Sequence, residues 1–370
     1  MNPPSGDLRV WVEVRESFAA SEGPHFLQSG YWAAHKERFG WSSRTFFVLW
    51  RQGNGSVPEP ASFPLVVLLR TAVLGLTLAY VPHGPAWSGL SGLEPSLRGT
   101  FLELLGQALV AFLPSRTFLL RFDPDWPRLH GDDSSRGFGE LKKGSSDIQP
   151  PDTVILNLRP ELHEILTQCK SKHRYNIRLA QKKGIEVREV HLNRDLEPDQ
   201  QSWEKEFGQW YGLYKETATR DKIAIHSYDY YYQGFLQFPL DDQRQIVLLQ
   251  AYHEDDYLAG IVVIFWGSRA TYVYGASSNQ KRNLMPAYAL QWRAIELAKA
   301  TGCTEYDLFG IPPSNSPDHP MHGLYQFKTG FGGTIVHYPG TWDLVLHRAI
   351  YWFYRFLEGV RKLLVRLRKR

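Results

Sequence analysis

Cysteine is nearly absent from this chain: 370 residues hold two, Cys169 and Cys303. That excludes a disulfide scaffold and a cysteine zinc site, and it suits a reducing compartment. The opening MNPPSGDLRVWVEV lacks the basic and apolar regions of a secretory signal. G-x-S-x-G, P-loop and H-E-x-x-H motifs are also missing. His319 and His322, in PDHPMHG, have no acid ladder or cysteine nearby and read as a proline-rich loop. Neither a metal nor a cofactor is expected. The net charge of +4 is too small for a histone-like binder. Long apolar runs are scarce. FPLVVLLRTAVLGLTLAYVP approaches the length of a membrane helix, but Arg70 lies inside it and Pro64 near its start. A central charge costs ~2.5–3.5 kcal/mol in a bilayer. The Val, Leu and Thr content, with Gly75 between the halves, fits two buried strands instead.

What is present falls into two halves of similar order, and the length suits two domains. DLRVWVEV alternates as a strand, and GYWAAHKERFG reads as a short helix ending at glycine. TFFVLWRQG, PLVVLLRTA and LTLAYVPHGP follow as strands, then a helix in SLRGTFLELLGQALVAFLP and a strand in RTFLLRFDPDW. GDDSSRGFGELKKGSSDIQPPD reads as a loop and domain boundary. The second half brings the strand TVILNL, a basic helix, a long helix in EPDQQSWEKEFGQWYGLYKETATR and three strands in QIVLLQAYHEDDYLAGIVVIFWGSRATYVYGASS. A helix capped by Gly302 and the short strand EYDLFGI complete it. The repeated order suggests duplication of an α+β unit. The expected domains are 1–148 and 149–339.

The basic helix is the strongest charge feature. In KSKHRYNIRLAQKKGIEVRE, Lys170, Arg174, Arg178 and Lys182 recur every four residues and form one stripe. Leu166, Cys169, Ile177 and Ala180 supply an opposite apolar side, and Gly184 ends the pattern as a C′ residue. Such a stripe fits a solvated face or a rail for the phosphates of a polyanion. Lys328, in FKTGFGG, stands beside a glycine-rich turn. A mobile ammonium there can hold a phosphate or a developing oxyanion. Tyr272 and Tyr274 alternate in TYVYGA and are expected on one face of a strand. Arg220 precedes Asp221, so an Arg–Asp pair is one reading of it.

The motifs FLQSGYW with Lys36, YVPHGP, QPPDTVILNL, KSKHRYNIRLAQKKG, ETATRD, YVYGASS, YDLFGIPP and LYQFKTGFGG occur in that order. Together, over about residues 25 to 345, they resemble the FemABX family of non-ribosomal peptidyltransferases. The resemblance implies two tandem domains of the acyl-CoA N-acyltransferase (GNAT-like) α+β fold. The interval from Val187 to Lys222 is too short for the helical arm that some members carry. It implies transfer of an aminoacyl group from aminoacyl-tRNA to an amine of a peptidoglycan precursor, lipid-linked or nucleotide-linked. Residue by residue, it implies that Lys328 lies at the reaction centre, with Phe327 against the tRNA acceptor end. It further implies Lys36 and Arg220 on the precursor's diphosphate, and Tyr272, Tyr274 and Tyr80 along the acceptor peptide. Lys170, Arg174, Arg178 and Lys182 would then guide the tRNA. Two departures matter. Trp87 and Ser88 follow GP where members often carry an acid, so no protein base is assigned. Met285 and Pro286 occupy the turn that binds pyrophosphate in acyl-CoA enzymes, which argues against CoA. The alternatives are an acyltransferase of this fold with another donor, and a non-catalytic relative that binds RNA or a membrane surface.

At the C-terminus, Leu346, Ile350, Phe353, Leu357, Val360, Leu364 and Leu367 recur at helical steps, and Glu358 is the one acid among many cations. The resemblance implies a closing helix here, 340–370, that returns to the first domain and completes it, so its first turns are expected to pack there. The cationic end reads as an interfacial helix, and 346–370 as a peripheral contact with the inner face of the cytoplasmic membrane. The expected location is cytoplasmic.

Overall fold

The computed structural model describes residues 8–20, 22–53, 61–128, 138–191 and 197–369. The chain forms two compact units, Met1–Pro151 with His337–Arg370, and Asp152–Val336. In chain order the first contains β1 (Leu8–Arg15), α1 (Gly30–Arg38), β2 (Ser42–Gln52), β3 (Ala61–Thr71), β4 (Thr77–Val81), α2 (Arg98–Val110), β5 (Thr117–Phe122) and β6 (Lys142–Lys143). Next come β7 (Asp152–Asn157), α3 (Leu162–Gln168), α4 (Ser171–Lys182), β8 (Glu186–His191), α5 (Glu197–Asp221) and α6 (Tyr228–Leu236). They are followed by β9 (Arg244–His253), β10 (Asp256–Trp266), β11 (Arg269–Ser277), α7 (Pro286–Ala300), β12 (Glu305–Asp307), α8 (His322–Thr329) and β13 (Thr334–His337). The chain then returns to the first unit with β14 (Trp342–Val345) and α9 (Arg348–Lys369).

The first sheet runs β1-β2-β3-β4-β5-β14-β6 and the second β13-β7-β12-β11-β10-β9-β8. Both are mainly antiparallel meanders, with a parallel step at β4–β5 in the first and at β11–β12 in the second. A parallel neighbour needs a crossover, and α2 and α7 supply it. Each covers one face of its sheet. Phe101, Leu102, Leu105 and Leu109 of α2 and Leu290, Ala294, Ile295 and Ala298 of α7 are fully buried there. This is an α+β arrangement used twice.

The apolar run around Arg70 is strands β3 and β4, as its composition suggests. Arg70 sits near the end of β3, where its guanidinium donates to the carbonyls of Phe39 and Gly40 at 2.8 Å each and so caps α1. Among the described residues no helix is long and apolar enough to cross a membrane. Of the boundary loop, residues 131–137 lie outside the described ones, while Lys142–Lys143 pair with Trp342–Asp343 as a short strand. Between β8 and β9, α6 is an element that the sequence pattern did not suggest. Phe235 of α6 packs on Phe207 and Trp210 of α5, and the described residues hold no long helical arm.

The basic segment is two helices. Cys169 takes an extended backbone, so Lys170 is the N-cap of α4 and Leu166 belongs to α3. Tertiary bonds hold the break open. The Cys169 thiol donates to the Phe331 carbonyl at 3.2 Å, and the Lys170 amide to that of Gly330 at 2.8 Å. Ile177 and Ala180 form the buried side of α4, and Gly184 follows it in the left-handed conformation.

Candidate active site

Lys328 departs most from its expected setting. It is the next-to-last residue of α8 rather than part of a glycine turn, and it is buried. Its Nζ donates to the carbonyls of Gly310 at 2.9 Å and Phe309 at 3.2 Å, and lies 5.0 Å from the centroid of the Tyr272 ring. The ammonium is therefore fixed, not mobile. The turn that receives it is built by Asp307, at the end of β12. That carboxylate accepts from the Thr153 hydroxyl and, at 2.8 Å, from the Phe309 amide. Phe309 is thereby held at φ 57°, a conformation a bulky residue rarely adopts, with its carbonyl toward Lys328. Burial lowers the Lys328 pKa to about 7, opposed by the charge of Asp307. Burial likewise raises the Asp307 pKa.

Tyr272 and Tyr274 do not share a face. A β-bulge shifts the pairing of β10 and β11, so that Val263 faces Tyr272 while Val262 faces Tyr274. One inserted residue reverses the side-chain parity. Tyr272 packs with the core under α7 and beside Lys328, and burial pushes its phenol up to about 12. Tyr274 packs on the other side, against Trp210, Tyr214, Tyr231 and Phe235 of α5 and α6.

Phe327 is half-buried against Tyr288 and Phe331, with ring centroids 5.1 and 5.2 Å away. His173 of α4 completes this cluster. Its Nε2 donates to the Phe327 carbonyl at 2.9 Å, and its buried Nδ1 has no partner. Burial lowers its pKa, which favours the neutral ring. Of the four-residue cationic stripe, Lys170, Arg178 and Lys182 are exposed. Arg174 is not free: its guanidinium donates to the carbonyls of Thr167 and Cys169 and caps α3.

Arg220 lies in the last turn of α5. It grips Asp221 at 2.8 and 3.1 Å, and Nη1 also donates to the Ser277 carbonyl at 2.7 Å. It is thus tied to the end of the strand that bears Tyr272. Lys36 and Tyr80 belong to the first unit. Lys36 is not on a freely solvated helix face. Its Nζ lies 5.5 Å from the Trp32 ring and 5.2 Å from that of Trp41, and burial together with Arg70 lowers its pKa to about 8. Tyr80 is buried and donates to Asp123 at 3.1 Å, while the Gln149 amide donates to the same carboxylate oxygen at 2.9 Å. Burial raises the Asp123 pKa to about 6. Asp123, Asp307 and His173 were not singled out from the sequence. The signal for both acids is a carboxylate at or just past the end of a strand, in RFDPDW and EYDLFG.

Two such α+β units, each a meander closed by a helix and one parallel strand, define a tandem GNAT-like protein without a long arm. The crystal structure of FemX superposes on 90% of this chain and 94% of its own, with a TM-score of 0.70 and 20% identity. A tandem GNAT protein from the clavulanic acid biosynthesis pathway aligns over 92% of this chain and 98% of its own, at 13% identity and a TM-score of 0.47. In sequence, the lipid II:glycine glycyltransferase of Staphylococcus aureus (strain COL) is 24% identical over 407 residues, covering 93% of this chain and 94% of that protein. The FemAB family model matches residues 134–250 and 240–359. The chain belongs to the FemAB family.

Proposed function

We propose that this protein transfers an amino acid from aminoacyl-tRNA to an amino group of a peptidoglycan precursor's stem peptide, building a side chain or bridge. The observation that carries the reading is the fixed amine of Lys328 on α8, the helix that His173 joins to α4 with its exposed cations. The relative in Staphylococcus aureus is named for glycyl transfer to lipid II, which supports an acceptor of this class.

The chemistry needs little beyond positioning and charge. The acceptor amine attacks the ester carbonyl carbon, a C–N bond forms, and the C–O bond to the terminal ribose breaks. The proton lost by the amine ends on the departing ribose oxygen. Negative charge collects transiently on the carbonyl oxygen, and Lys328 in its protonated form stabilises it there. The ester is already activated, so no protein base is invoked. Phe327 stacks on the terminal base, an interaction of ~1–3 kcal/mol. Lys170, Arg178 and Lys182 carry the acceptor-stem phosphates. Arg220 supplies a cation for the precursor's diphosphate, and Tyr272 walls the acceptor peptide. Tyr274 is left to packing. The acceptor is lipid-linked, and segment 346–370 keeps the enzyme at the inner face of the membrane, where charged tRNA is present.

An acyl-CoA donor is the competing reading. Pro286, the first residue of α7, has no amide hydrogen, and those of Tyr288 and Ala289 bond to the Met285 carbonyl. Little is left to cradle a pyrophosphate. The test is incubation with charged tRNA and lipid II, reading the precursor's mass. A gain of one aminoacyl residue is expected. No gain with any charged tRNA, but an acyl gain from an acyl-CoA, would replace this reading with the second.

A further inference from the structure

Helix α9 packs with its polar side inward. A helix docked on a protein normally buries an apolar stripe and shows polar residues to water. In α9 the inward side carries a hydrogen-bonded network, beside Ile350 and the rings of Tyr351 and Tyr354 that pack on Phe118 and Leu119. Tyr351 is buried, and its hydroxyl donates to Asp343 at 3.2 Å. Asp343 also takes Arg121 through two bonds, at 2.6 and 2.9 Å. Glu358 lies 3.5 Å from the same guanidinium and accepts from Tyr354 at 2.7 Å and from Ser145. Arg355 donates to the Lys143 carbonyl at 2.8 Å.

The outward side is apolar. Trp352, Phe353, Phe356, Leu357, Leu363 and Leu364 are between 48% and 64% exposed. At about 100° per residue they share one arc of roughly 140°, opposite Tyr351, Tyr354 and Glu358. This corrects the stripe expected from sequence: Leu346 precedes the helix and Ile350 packs inward, while Trp352, Phe356 and Leu363 join the outer face. Arg348 and Arg361 border that arc. From Val360 to Arg370 the chain adds six cations, Arg361, Lys362, Arg366, Arg368, Lys369 and Arg370, and no acid.

We infer that α9 is a preformed interfacial anchor, latched to the first unit by its polar side and laid flat with its apolar side in an anionic lipid surface. Charge decides the occupant. A second copy would bring two acid-free cationic ends together with nothing to neutralise them. A nucleic acid would satisfy the cations and leave the tryptophan, phenylalanines and leucines in water. An anionic leaflet satisfies both, with rings and leucines at the acyl boundary and arginines among the headgroups. The inference deepens the proposed function and rests on its placement of a lipid-linked acceptor, but its test needs no turnover, so either can fail alone.

The test is co-sedimentation of the full chain with phosphatidylcholine vesicles, with and without phosphatidylglycerol, alongside F356E/L363E and a chain truncated after Gly359. Both substituted side chains are exposed, so circular dichroism of the double variant should match the parent. Binding to the phosphatidylglycerol vesicles is expected, weaker by about tenfold or more on neutral vesicles and in both altered chains. Equal binding by F356E/L363E would overturn the inference, as would equal binding by the truncated chain. A lipid-free dimer that F356E/L363E dissolves, with no vesicle binding by the parent, would assign the face to self-association and overturn it too.

Discussion

His173 Nε2 lies 2.9 Å from the carbonyl oxygen of Phe327, so the helix bearing the exposed cations is fastened to the helix bearing Lys328. Gly330 makes this joint possible. A methyl group there would come within 1.8 Å of the His173 ring. Gly330→Ala is therefore expected to cost ~1–3 kcal/mol by overpacking. His173→Ala in the same chain should return part of that cost, because the two residues share one space. Urea denaturation of the two single variants and the double variant reads the coupling. Strictly additive losses would mean that the contact does not limit packing.

Lys328→Met should remove a buried amine whose pKa falls from 10.5 to about 7 on folding. Between those values the unfolded chain holds a proton that the native one does not, so native stability gained from this group rises with pH. Below about 7 the whole penalty remains. The variant should accordingly be the more stable protein, by most below pH 7, with the gap closing toward alkaline pH. Denaturation at acid-neutral and alkaline pH checks the sign, and a constant gap would mean that Lys328 titrates normally. Turnover with saturating charged tRNA should fall by ~10²-fold, as for loss of an oxyanion donor.

The two tyrosines of β11 should separate cleanly. Tyr274→Ala opens the aromatic packing of α5 and α6 and is expected to cost ~2–4 kcal/mol of stability. Tyr272→Ala strips the ring from beside Lys328 and should lower turnover at a smaller cost in stability. Thermal melts and single-turnover rates for both variants decide the matter. Equal effects on both readouts would place the residues on one face after all.

That parity reversal illustrates what the sequence conveys and what it hides. Strand runs such as LRVWVEV and PLVVLLRT, and the helix in AYALQWRAIELAKA, are legible because burial imposes a period on them. A bulge at β11 leaves no such trace, since one more apolar residue fits a strand in either register. The break at Cys169 is hidden too. Cys169 and Lys170 both suit helical spacing, and what stops the helix is bonding to Gly330 and Phe331 far along the chain. Lys328 was visible as a motif, yet its burial depends on carbonyls eighteen and nineteen residues away, aimed by the strained Phe309.

The cations of α4 differ in their freedom, which makes their roles separable. Arg178→Gln with Lys182→Gln removes two exposed charges and should flatten the salt slope of tRNA binding by about 1–2. Arg174→Gln instead uncaps α3 and should cost ~1 kcal/mol of stability, with little change in that slope. Filter binding over a series of salt concentrations, beside urea melts, measures both. An unchanged slope in the double variant would return α4 to a merely solvated face.

In the first unit, Asp343 and Glu358 both approach Arg121, and their burial predicts unequal weight. Asp343 is fully buried and makes the two-bond contact, whereas Glu358 stands 3.5 Å away with its side chain 18% exposed. Asp343→Asn would leave the guanidinium buried without its main counter-charge, at ~3–5 kcal/mol. Glu358→Gln keeps its hydrogen-bonding shape and should cost ~1 kcal/mol or less. Replacing the pair together, Arg121→Met with Asp343→Leu, should be far milder than Asp343→Asn, because no unpaired charge remains. Urea denaturation of the three proteins gives the ranking. If Asp343→Asn proves no worse than Glu358→Gln, then Glu358 can swing in to neutralise Arg121, and the latch under α9 is a shared carboxylate site rather than a fixed pair.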